Sequence, residues 1–397
     1  MTSIKHRQTI QTIVPTVKTA VIILSCAIAA GSTCITIDPP FPTDEVTEIP
    51  SISALSVDGS VAVGGVVSDV TSKTKPSISQ TSPVVTKTEA YRSSAASGVE
   101  MLGFLPGGGG GNSLATGISA DGSVAVGISS SEDGNRPFRW TRLTGMTTLS
   151  PVGAEYSFAF TSDVSADGQT IIGFLTSDST AFQGFRWSAA TGYDVFSVPS
   201  REDLGTRPIA VSANGTIIAG GSDSGPGERG FYRTENDGTV LITDPTDEDA
   251  TVVVADMSED GTTVVGRLVS DGEEYGFRWT ADAGLVRLSG LPGDRPNASA
   301  FATTADGSLV VGRAGTGAGE YIGDLPFFET EPVIWDAQGN IHRLADLLSE
   351  EEAAKVAGIT MTQARVMSAD GTTIAGIGTD SENQSVWWIV RIDPTAL

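Results

Sequence analysis

The sequence predicts an all-β fold, a seven-bladed β-propeller with four short antiparallel strands in each blade. Two repeated phrases carry this prediction. The first contains an Asp-Gly or Asn-Gly pair and occurs seven times, and four of the six steps between copies are 46 or 47 residues long. The second, Phe-Arg-Trp or a variant, follows each copy of the first. Four strands per repeat of this length, in seven repeats, are typical of a propeller.

The first phrase predicts the hairpin between the first and second strands of each blade. It reads LSVDGSVAVG at residues 55–64 and recurs with small changes, for example as MSADGTTIAG at 367–376. Asp-Gly is a strong hairpin signal because Gly adopts positive φ and Asp bonds its own backbone. We therefore assign the Asp or Asn side chains to structural turns and not to metal ligands, since Asn214 lacks the charge. The seven are Asp58, Asp121, Asp167, Asn214, Asp260, Asp306 and Asp370.

The second phrase predicts the third strand of each blade. It reads FRW at 138–140, 185–187 and 277–279, FYR at 231–233, VIW at 333–335, VWW at 386–388, and Tyr-Arg at 91–92. Because aromatic and polar residues alternate, we expect the aromatic rings to pack between blades and the Arg to point toward the rim. A later glycine, such as Gly145 or Gly284, precedes the fourth strand.

The seventh repeat ends at Ile392, after its third strand. Residues 45–49, which precede the first repeat, are the candidate for the missing strand. The prediction is therefore a ring closed by an N-terminal strand in the last blade, which leaves no long open edge. The alternative is an open solenoid with a frayed end.

The N-terminus predicts export. Basic residues at 5, 7 and 18 precede an apolar stretch at 19–30, and the A-x-A sequence at 27–29 suits cleavage. We assign 1–29 to a signal peptide, 30–44 to an acidic, Pro-containing tether and 45–397 to the propeller. The predicted location is extracellular, periplasmic or at the cell surface. Residues 23–26 loosely match a lipobox, so Cys26 is a candidate for lipidation, and the alternative is plain secretion with a free Cys34.

These phrases resemble those of the HAF family of bacterial extracellular repeat proteins, over about residues 51–392. The resemblance rests on S-A-D-G-x-x-V-V-G followed by G-F-R-W, and on LADLL at 344–348. It implies an exported bacterial repeat protein and brings no catalytic residues. The first and fourth repeats depart from the pattern, because Tyr-Arg stands where the Trp motif is expected.

Composition excludes several classes of function. The net charge of −24 disfavours nucleic-acid binding, and two cysteines cannot build a disulfide scaffold. We expect a monomer that meets the membrane only through its signal or a lipid anchor.

No cofactor is predicted. Asp244, Asp247, Glu248 and Asp249 suggest Ca²⁺, but their spacing favours a solvated loop. His342 is the one histidine left after signal removal, which makes a Ser-His-Asp hydrolase improbable.

Insertions suggest where a ligand binds. Extra residues at 66–89 and 313–331 fall between the second and third strands, and the link after repeat six is also long. In it, residues 349–357 predict a short helix with Ser349 as its N-cap. All these insertions belong to one face, over blades six, seven and one, and loops on a rigid scaffold often carry function. The candidate binding residues are Glu320, Tyr321, Asp324, Phe327, Phe328 and Glu331.

The sequence therefore predicts a non-catalytic binding or surface module for a glycan or a surface protein. The alternative is a carbohydrate-active hydrolase or lyase that uses carboxylates of the insertion-bearing face, such as Asp324 and Glu331. A passive structural role at the cell surface is a third hypothesis. For the loop aromatics, the competing interpretation is that they pack onto their own blade.

Overall fold

The computed structural model is a seven-bladed β-propeller, as the repeats predict. It describes residues 22–24, 35–37, 51–70, 85–109, 111–149, 153, 156–177, 180–198, 205–224, 227–292, 297–315, 320–322, 325–327 and 329–397. Each blade is an antiparallel sheet whose strands follow one another in chain order.

The first four blades each contain four strands. Those of blade one are Ser51–Leu55, Val61–Val70, Val85–Ser94 and Gly98–Gly103. Those of blade two are Ser113–Ile118, Val124–Ser131, Gly134–Thr141 and Gly145–Thr148. Those of blade three are Phe158–Val164, Thr170–Ser177, Thr180–Ser188 and Gly192–Phe196. Those of blade four are Thr206–Val211, Ile217–Ser224, Gly227–Thr234 and Gly238–Ile242.

Blades five and six are also four-stranded, and the described part of blade seven has three strands. Blade five contains Thr251–Met257, Thr263–Ser270, Glu273–Thr280 and Gly284–Leu288. Blade six contains Ala298–Thr303, Val310–Gly315, Thr330–Trp335 and Ile341–Arg343. Blade seven contains Thr360–Met367, Thr373–Thr379 and Ser385–Arg391. A short ribbon pairs Ile22–Leu24 with Ile35–Ile37, and its first strand lies against Ser385–Arg391. The predicted closing strand at 45–49 lies outside the described residues.

The first strands form the inner wall of the ring. Each contacts the first strand of the next blade, and Thr360–Met367 contacts Ser51–Leu55, so blade seven meets blade one. Backbone hydrogen bonds between the hairpin turns complete the ring. The carbonyl before each Asp or Asn accepts an N–H from the preceding blade's turn at 2.7–3.2 Å, and the seventh bond runs from Asp370 to Val57.

The repeated Asp-Gly phrase ends in a glycine of the second strand, and in each blade an aromatic ring of the third strand lies over this glycine. Gly266, for example, pairs with Phe277, and its partner on the first strand is Val254. The register of the first strand shifts immediately after Val254, a β-bulge that recurs in every blade. A Cβ on Gly266 would lie 2.1 Å from the Val253 carbonyl oxygen. The bulge and the ring therefore require glycine there.

The aromatic residues of the third strands pack between blades, as expected. Phe277 is fully buried, and Trp279 is 6% exposed in a cluster that joins blades four and five. The middle residue of the phrase often bonds the next blade's turn, as Arg139 does to the Gly168 carbonyl at 3.3 Å. Blade seven differs by two residues from the sequence alignment: Trp388, opposite Gly376, occupies the Phe position and Val390 the Trp position.

The predicted insertions and helix are confirmed. In blade six, a hairpin of Glu320–Ile322 and Leu325–Phe327 lies between the second and third strands. In blade one, the insertion partly lengthens these two strands, which pair from Val61–Ser94 to Val70–Val85. After blade six, the chain forms a 3₁₀ turn at Leu344–Leu347 and an α-helix at Glu350–Lys355, capped by Ser349. A last 3₁₀ turn covers Pro394–Ala396.

Candidate functional site: the axial channel

The innermost strands carry a few charged side chains that water reaches. A residue on the inner wall that is exposed to solvent faces the axial channel. Each turn Asp or Asn is preceded, two residues earlier, by a Ser or Thr. Two residues before that Ser or Thr, most first strands have a small or apolar side chain, but blades three and five have Asp163 and Asp256. Blade seven places Arg365 one residue earlier. The channel therefore has acidic and basic sections.

The acidic section lies toward the Asp-Gly turns. Asp163 accepts hydrogen bonds from the backbone of Val164 at 2.8 Å and from Val211 of blade four at 2.9 Å. Burial raises the pKa of Asp163 to about 6, against the lowering effect of these bonds, and the charge of Glu259 adds to the rise. The side chain thus joins two blades and holds its proton more tightly than an ordinary Asp.

Asp256 repeats this arrangement between blades five and six. It accepts from the backbone of Met257 at 2.8 Å and of Thr303 at 2.9 Å. Burial raises the pKa of Asp256 to about 7, and the charges of Asp163 and Glu259 contribute. Burial also raises the pKa of Glu259, whose carbonyl belongs to the ring of turns. These three carboxyl groups therefore influence one another across the channel.

The basic section belongs to blades six and seven. The Arg365 side chain is exposed, and its guanidinium carbon lies 4.6 Å from the centre of the Phe301 ring. Surrounding protein and the charge of Arg313 both lower the pKa of Arg365. Arg365 still carries its charge at neutral pH, because guanidinium does not deprotonate in proteins. In the described part of the chain, Arg365 has no carboxylate partner.

Arg313 connects this section to a network on the insertion-bearing side of blades five and six. Its Nη2 lies 3.0 Å from Glu274 Oε1, and Arg267 Nη1 lies 3.4 Å from Oε2 of the same carboxylate. Ser299 Oγ also donates to Glu274. Although burial opposes it, these partners lower the pKa of Glu274. Arg267 and Arg313 therefore share one carboxylate, that of Glu274.

The structure describes the predicted loop site in part. Glu320, Tyr321 and Phe327 lie in the two strands of the blade-six hairpin, for which the backbone is described. Asp324 and Phe328 lie outside the described residues. Glu331 lies on the third strand, where its Oε1 is 2.7 Å from Arg343 Nη1. Glu331 is thus one half of an ion pair.

The seven turn residues stabilise their own hairpins. Asp121 Oδ1 accepts from Ser119 Oγ at 2.8 Å and from the Ser123 amide at 2.9 Å, and the Ser119 hydroxyl accepts from the Val124 amide. The bond from the Ser123 backbone is the main cause of a lowered Asp121 pKa. Asn214 makes the same contacts. Each of the other five accepts from the same positions.

One expectation about the acidic run was wrong. Asp244 is not in a solvated loop: it is 2% exposed, and its Oδ2 accepts from Arg287 Nε at 2.9 Å. Asp247 accepts from Ser270 Oγ at 2.7 Å, while Glu248 and Asp249 are exposed. Asp244 and Asp247 follow the last strand of blade four, and their partners Arg287 and Ser270 belong to blade five. This part of the acidic run therefore connects the two blades. No group of three or more metal-ligating side chains occurs among the described residues.

His342 lies 3.3 Å from Asp336, a nearly buried carboxylate that also accepts from Asn340. Although burial opposes it, these hydrogen bonds lower the pKa of Asp336 to about 2. The pair stabilises the turn before the fourth strand of blade six. Cys26 lies outside the described residues. No helix in the described ranges is long and apolar enough to cross a membrane.

Comparison with known proteins supports the fold. No family model and no curated protein matches the sequence. The structure is similar to oligogalacturonate lyase from Vibrio parahaemolyticus, with a TM-score of 0.56 and 11% identity over 95% of this chain and 98% of that one. This likeness shows the propeller fold alone.

Two other solved structures are less similar. For TolB from Acinetobacter baumannii, the TM-score is 0.40 at 12% identity, over 64% of this chain and 58% of that one. For dipeptidyl peptidase 4 from Porphyromonas gingivalis, the TM-score is 0.49 at 12% identity, over 93% and 54%. The chain thus spans less than two thirds of the length of either protein.

Proposed function

We propose that the protein is an exported, non-catalytic binding module that holds an acidic glycan at the mouth of its axial channel, on the insertion-bearing face. The observation that carries the proposal is the pair Arg365 and Arg313. These two like charges are held near each other in a chain whose net charge is −24. A bound carboxylate would relieve their repulsion, and guanidinium binds carboxylate in a bidentate manner.

Neighbouring groups suit a sugar acid. Phe301 lies under the Arg365 guanidinium and fixes its orientation. Arg313 lies on the strand that leads directly into the blade-six insertion. We infer that Tyr321, Phe327 and Phe328 of that loop stack on sugar rings, and that Glu320 and Asp324 accept from their hydroxyl groups. Export, and membership of the HAF family, are parts of the same proposal.

A hydrolase or lyase remains the second candidate. The lyase with the same fold is named for an acidic oligosaccharide. Two described carboxylates of the insertion-bearing side of blades five and six, Glu274 and Glu331, are both ion-paired, and the pKa of Glu274 is lowered. A general acid needs a raised pKa. Among the described residues, Asp163, Asp256 and Glu259 have this property, and the pKa is raised most for Asp163 and Asp256, so these two are the acids an enzyme would use first.

Binding of oligogalacturonate and of a neutral galactose oligomer, measured by calorimetry, tests the proposal. We expect the acidic oligomer to bind and the neutral one not to bind. R365Q should weaken binding by at least about tenfold, since a charge-assisted contact contributes about 1.5–3 kcal/mol. The double variant Y321A/F328A should weaken binding as well. R142Q is the matched control, because Arg142 is exposed on blade two and paired with Glu100.

Equal binding by R365Q and the unmodified protein would overturn the proposed site. Chromatography of the recovered oligosaccharide separates the two candidate functions. An unchanged chain length supports the binding module. Shorter products that disappear in D163N or D256N would support the enzyme instead.

A further inference from the structure

The interface between blades three and four has unusual residues at two positions. At the Trp position of the third strand, opposite Ile218, blade four has Arg233. Blades two, three, five and six have Trp at this position, whereas blades one and seven have the smaller Ser93 and Val390. These Trp side chains pack against the preceding blade, as Trp187 does in a cluster with Val124 and Val126 of blade two. Arg233 cannot fill the same space with apolar atoms.

The second departure is Arg186 of blade three. In blades one and two, the corresponding Arg92 and Arg139 donate to the carbonyl of the next blade's turn glycine. The Arg186 guanidinium instead forms an ion pair with Glu235 of blade four. A cavity of about 280 Å³ lies between the two blades, and both Arg186 and Arg233 line it.

The cavity is lined by two cations and two anions. Arg186 and Arg233 supply the positive charges, and Asp194 and Glu235 supply the negative charges. Phe196 and Ile218 form an apolar part of its wall. Its volume is below the range of pockets that hold drug-sized molecules. A small ligand with both signs of charge matches this lining, whereas an ion of one sign would meet repulsion from half of the charged groups.

Arg233 is positioned to take the anionic end of such a ligand. Its guanidinium carbon lies 4.7 Å from the centre of the Phe196 ring, and its Nη1 donates to Thr239 Oγ1 at 3.2 Å. Neither Arg233 nor Asp194 forms an ion pair with another described residue. Asp194 is exposed and lies opposite Arg186 in the sheet, so its carboxylate is available to a cation.

We propose that the cavity between blades three and four binds a zwitterion of amino-acid size. The ligand carboxylate pairs with Arg233, its ammonium group lies between Asp194 and Glu235, and a small aliphatic side chain contacts Ile218 and Phe196. This site is separate from the proposed glycan site, because its Arg residues lie near the Asp-Gly turns of blades three and four.

Titration of the full chain with L-valine, followed by calorimetry and by NMR of the ligand, tests the site. Isovalerate and isobutylamine are the matched probes, since each lacks one of the two charged groups of valine. We expect valine to bind at least tenfold more tightly than either probe. The variant R233W introduces the Trp found in blades two, three, five and six, and we expect it to raise the melting temperature and abolish valine binding. R142Q should bind valine as the unmodified protein does.

Absence of valine binding, or equal binding of either singly charged probe, would overturn the zwitterion site. Unchanged valine binding in a folded R233W would overturn its location. D194N provides a second variant at an exposed position, should R233W fail to fold. We expect D194N to weaken valine at least tenfold and to leave isovalerate unchanged, and equal valine affinity in D194N would also contradict the proposal.

Discussion

At the residue scale, each blade depends on two glycines of the repeated Asp-Gly phrase: the glycine of the turn and the glycine at the end of the phrase, in the second strand. The turn glycines, such as Gly261, adopt positive φ, which other residues rarely do. The glycine of the second strand is required for a different reason. A Cβ at Gly266 would lie 2.1 Å from the Val253 carbonyl oxygen and 2.8 Å from the Phe277 ring. A side chain here would displace both the bulge and the ring.

We therefore expect G266A to destabilise the protein by more than about 2 kcal/mol, since overpacking a tight core has costs of this size. Urea denaturation measures the free energy of unfolding. G276A is the control in the same blade, because a Cβ there meets its nearest atoms at 3.4 Å, an ordinary contact. We expect G276A to change stability by less than about 1 kcal/mol. Similar losses in the two variants would contradict this account of the bulge.

Residue types in turns could be predicted from the sequence, and residue types in the channel could not. Asp121 and Asn214 form turns through bonds within five residues of chain, so local pattern suffices to find them. Asp163 and Arg365 lie on strands whose alternation is interrupted by a bulge. A bulge changes which side chain faces the axis, and nothing in a single strand reveals it. The one available signal was a charged residue in a strand position that is small or apolar in most repeats.

At the element scale, the helix Glu350–Lys355 illustrates how a cap can be predicted while its packing is missed. Ser349 accepts from the Glu352 amide at 3.2 Å, as a helix N-cap does. The Glu352 side chain, however, does not reach back to close a capping box. It is 3% exposed, accepts from Lys355 Nζ at 2.7 Å, and accepts from the Arg391 amide of the last strand at 3.0 Å. The helix thus holds the last strand of the ring.

We expect E352A to destabilise the protein by about 3 kcal/mol, because it leaves Lys355 and the Arg391 amide without their buried acceptor. E351A is the matched control. Glu351 also pairs with Lys355, at 3.1 Å, but its side chain is 70% exposed. An exposed pair of this kind contributes about 0.5 kcal/mol. Thermal unfolding of both variants compares the two contributions, and an equal decrease would show that Glu352 acts only within its helix.

The strand order and the insertions followed from the repeats, whereas the register of the last blade did not. The seventh repeat has two adjacent Trp residues, and the sequence alignment matched the second of them to the Trp of FRW, two residues away from its structural position. Pairing fixes the register instead: Trp388 lies opposite Gly376, as Phe277 lies opposite Gly266. Trp388 is therefore buried at the position that Phe occupies in blades two to five, and the smaller Val390 occupies the Trp position.

At the scale of the whole molecule, the ring joins seven local units through bonds that each unit makes to the next. The turn carbonyls form one set of such bonds, and the Asp163 and Asp256 carboxylates form another. Neighbouring blades also share their hydrophobic clusters, as blades four and five do around Trp279. Because no blade buries its faces alone, we treat unfolding as a property of the ring. Charges in the channel then act on the stability of all seven blades.

The channel carboxyl groups predict how this stability depends on pH. Asp163 and Asp256 have folded-state pKa values of about 6 and about 7, above the ordinary value of 3.8. Between those values the folded state binds more protons than the unfolded state, so the free energy of unfolding falls as pH rises. The stabilisation is complete below about pH 4 and is lost as pH passes 6 to 7, with a slope of at most about 1.4 kcal/mol per pH unit for each group.

Below pH 4 the opposite trend applies, because the lowered pKa values of Asp336 and of turn aspartates such as Asp121 make stability fall as these groups are protonated. Urea denaturation from pH 3 to 8 should therefore give a maximum near pH 4–5 and a decline toward pH 7. The double variant D163N/D256N should show a flatter curve between pH 4 and 7, even if its stability is lower throughout. If the free energy of unfolding of the wild-type protein instead rises between pH 4 and 7, the pKa values of Asp163 and Asp256 are not raised in the folded state and this account is wrong.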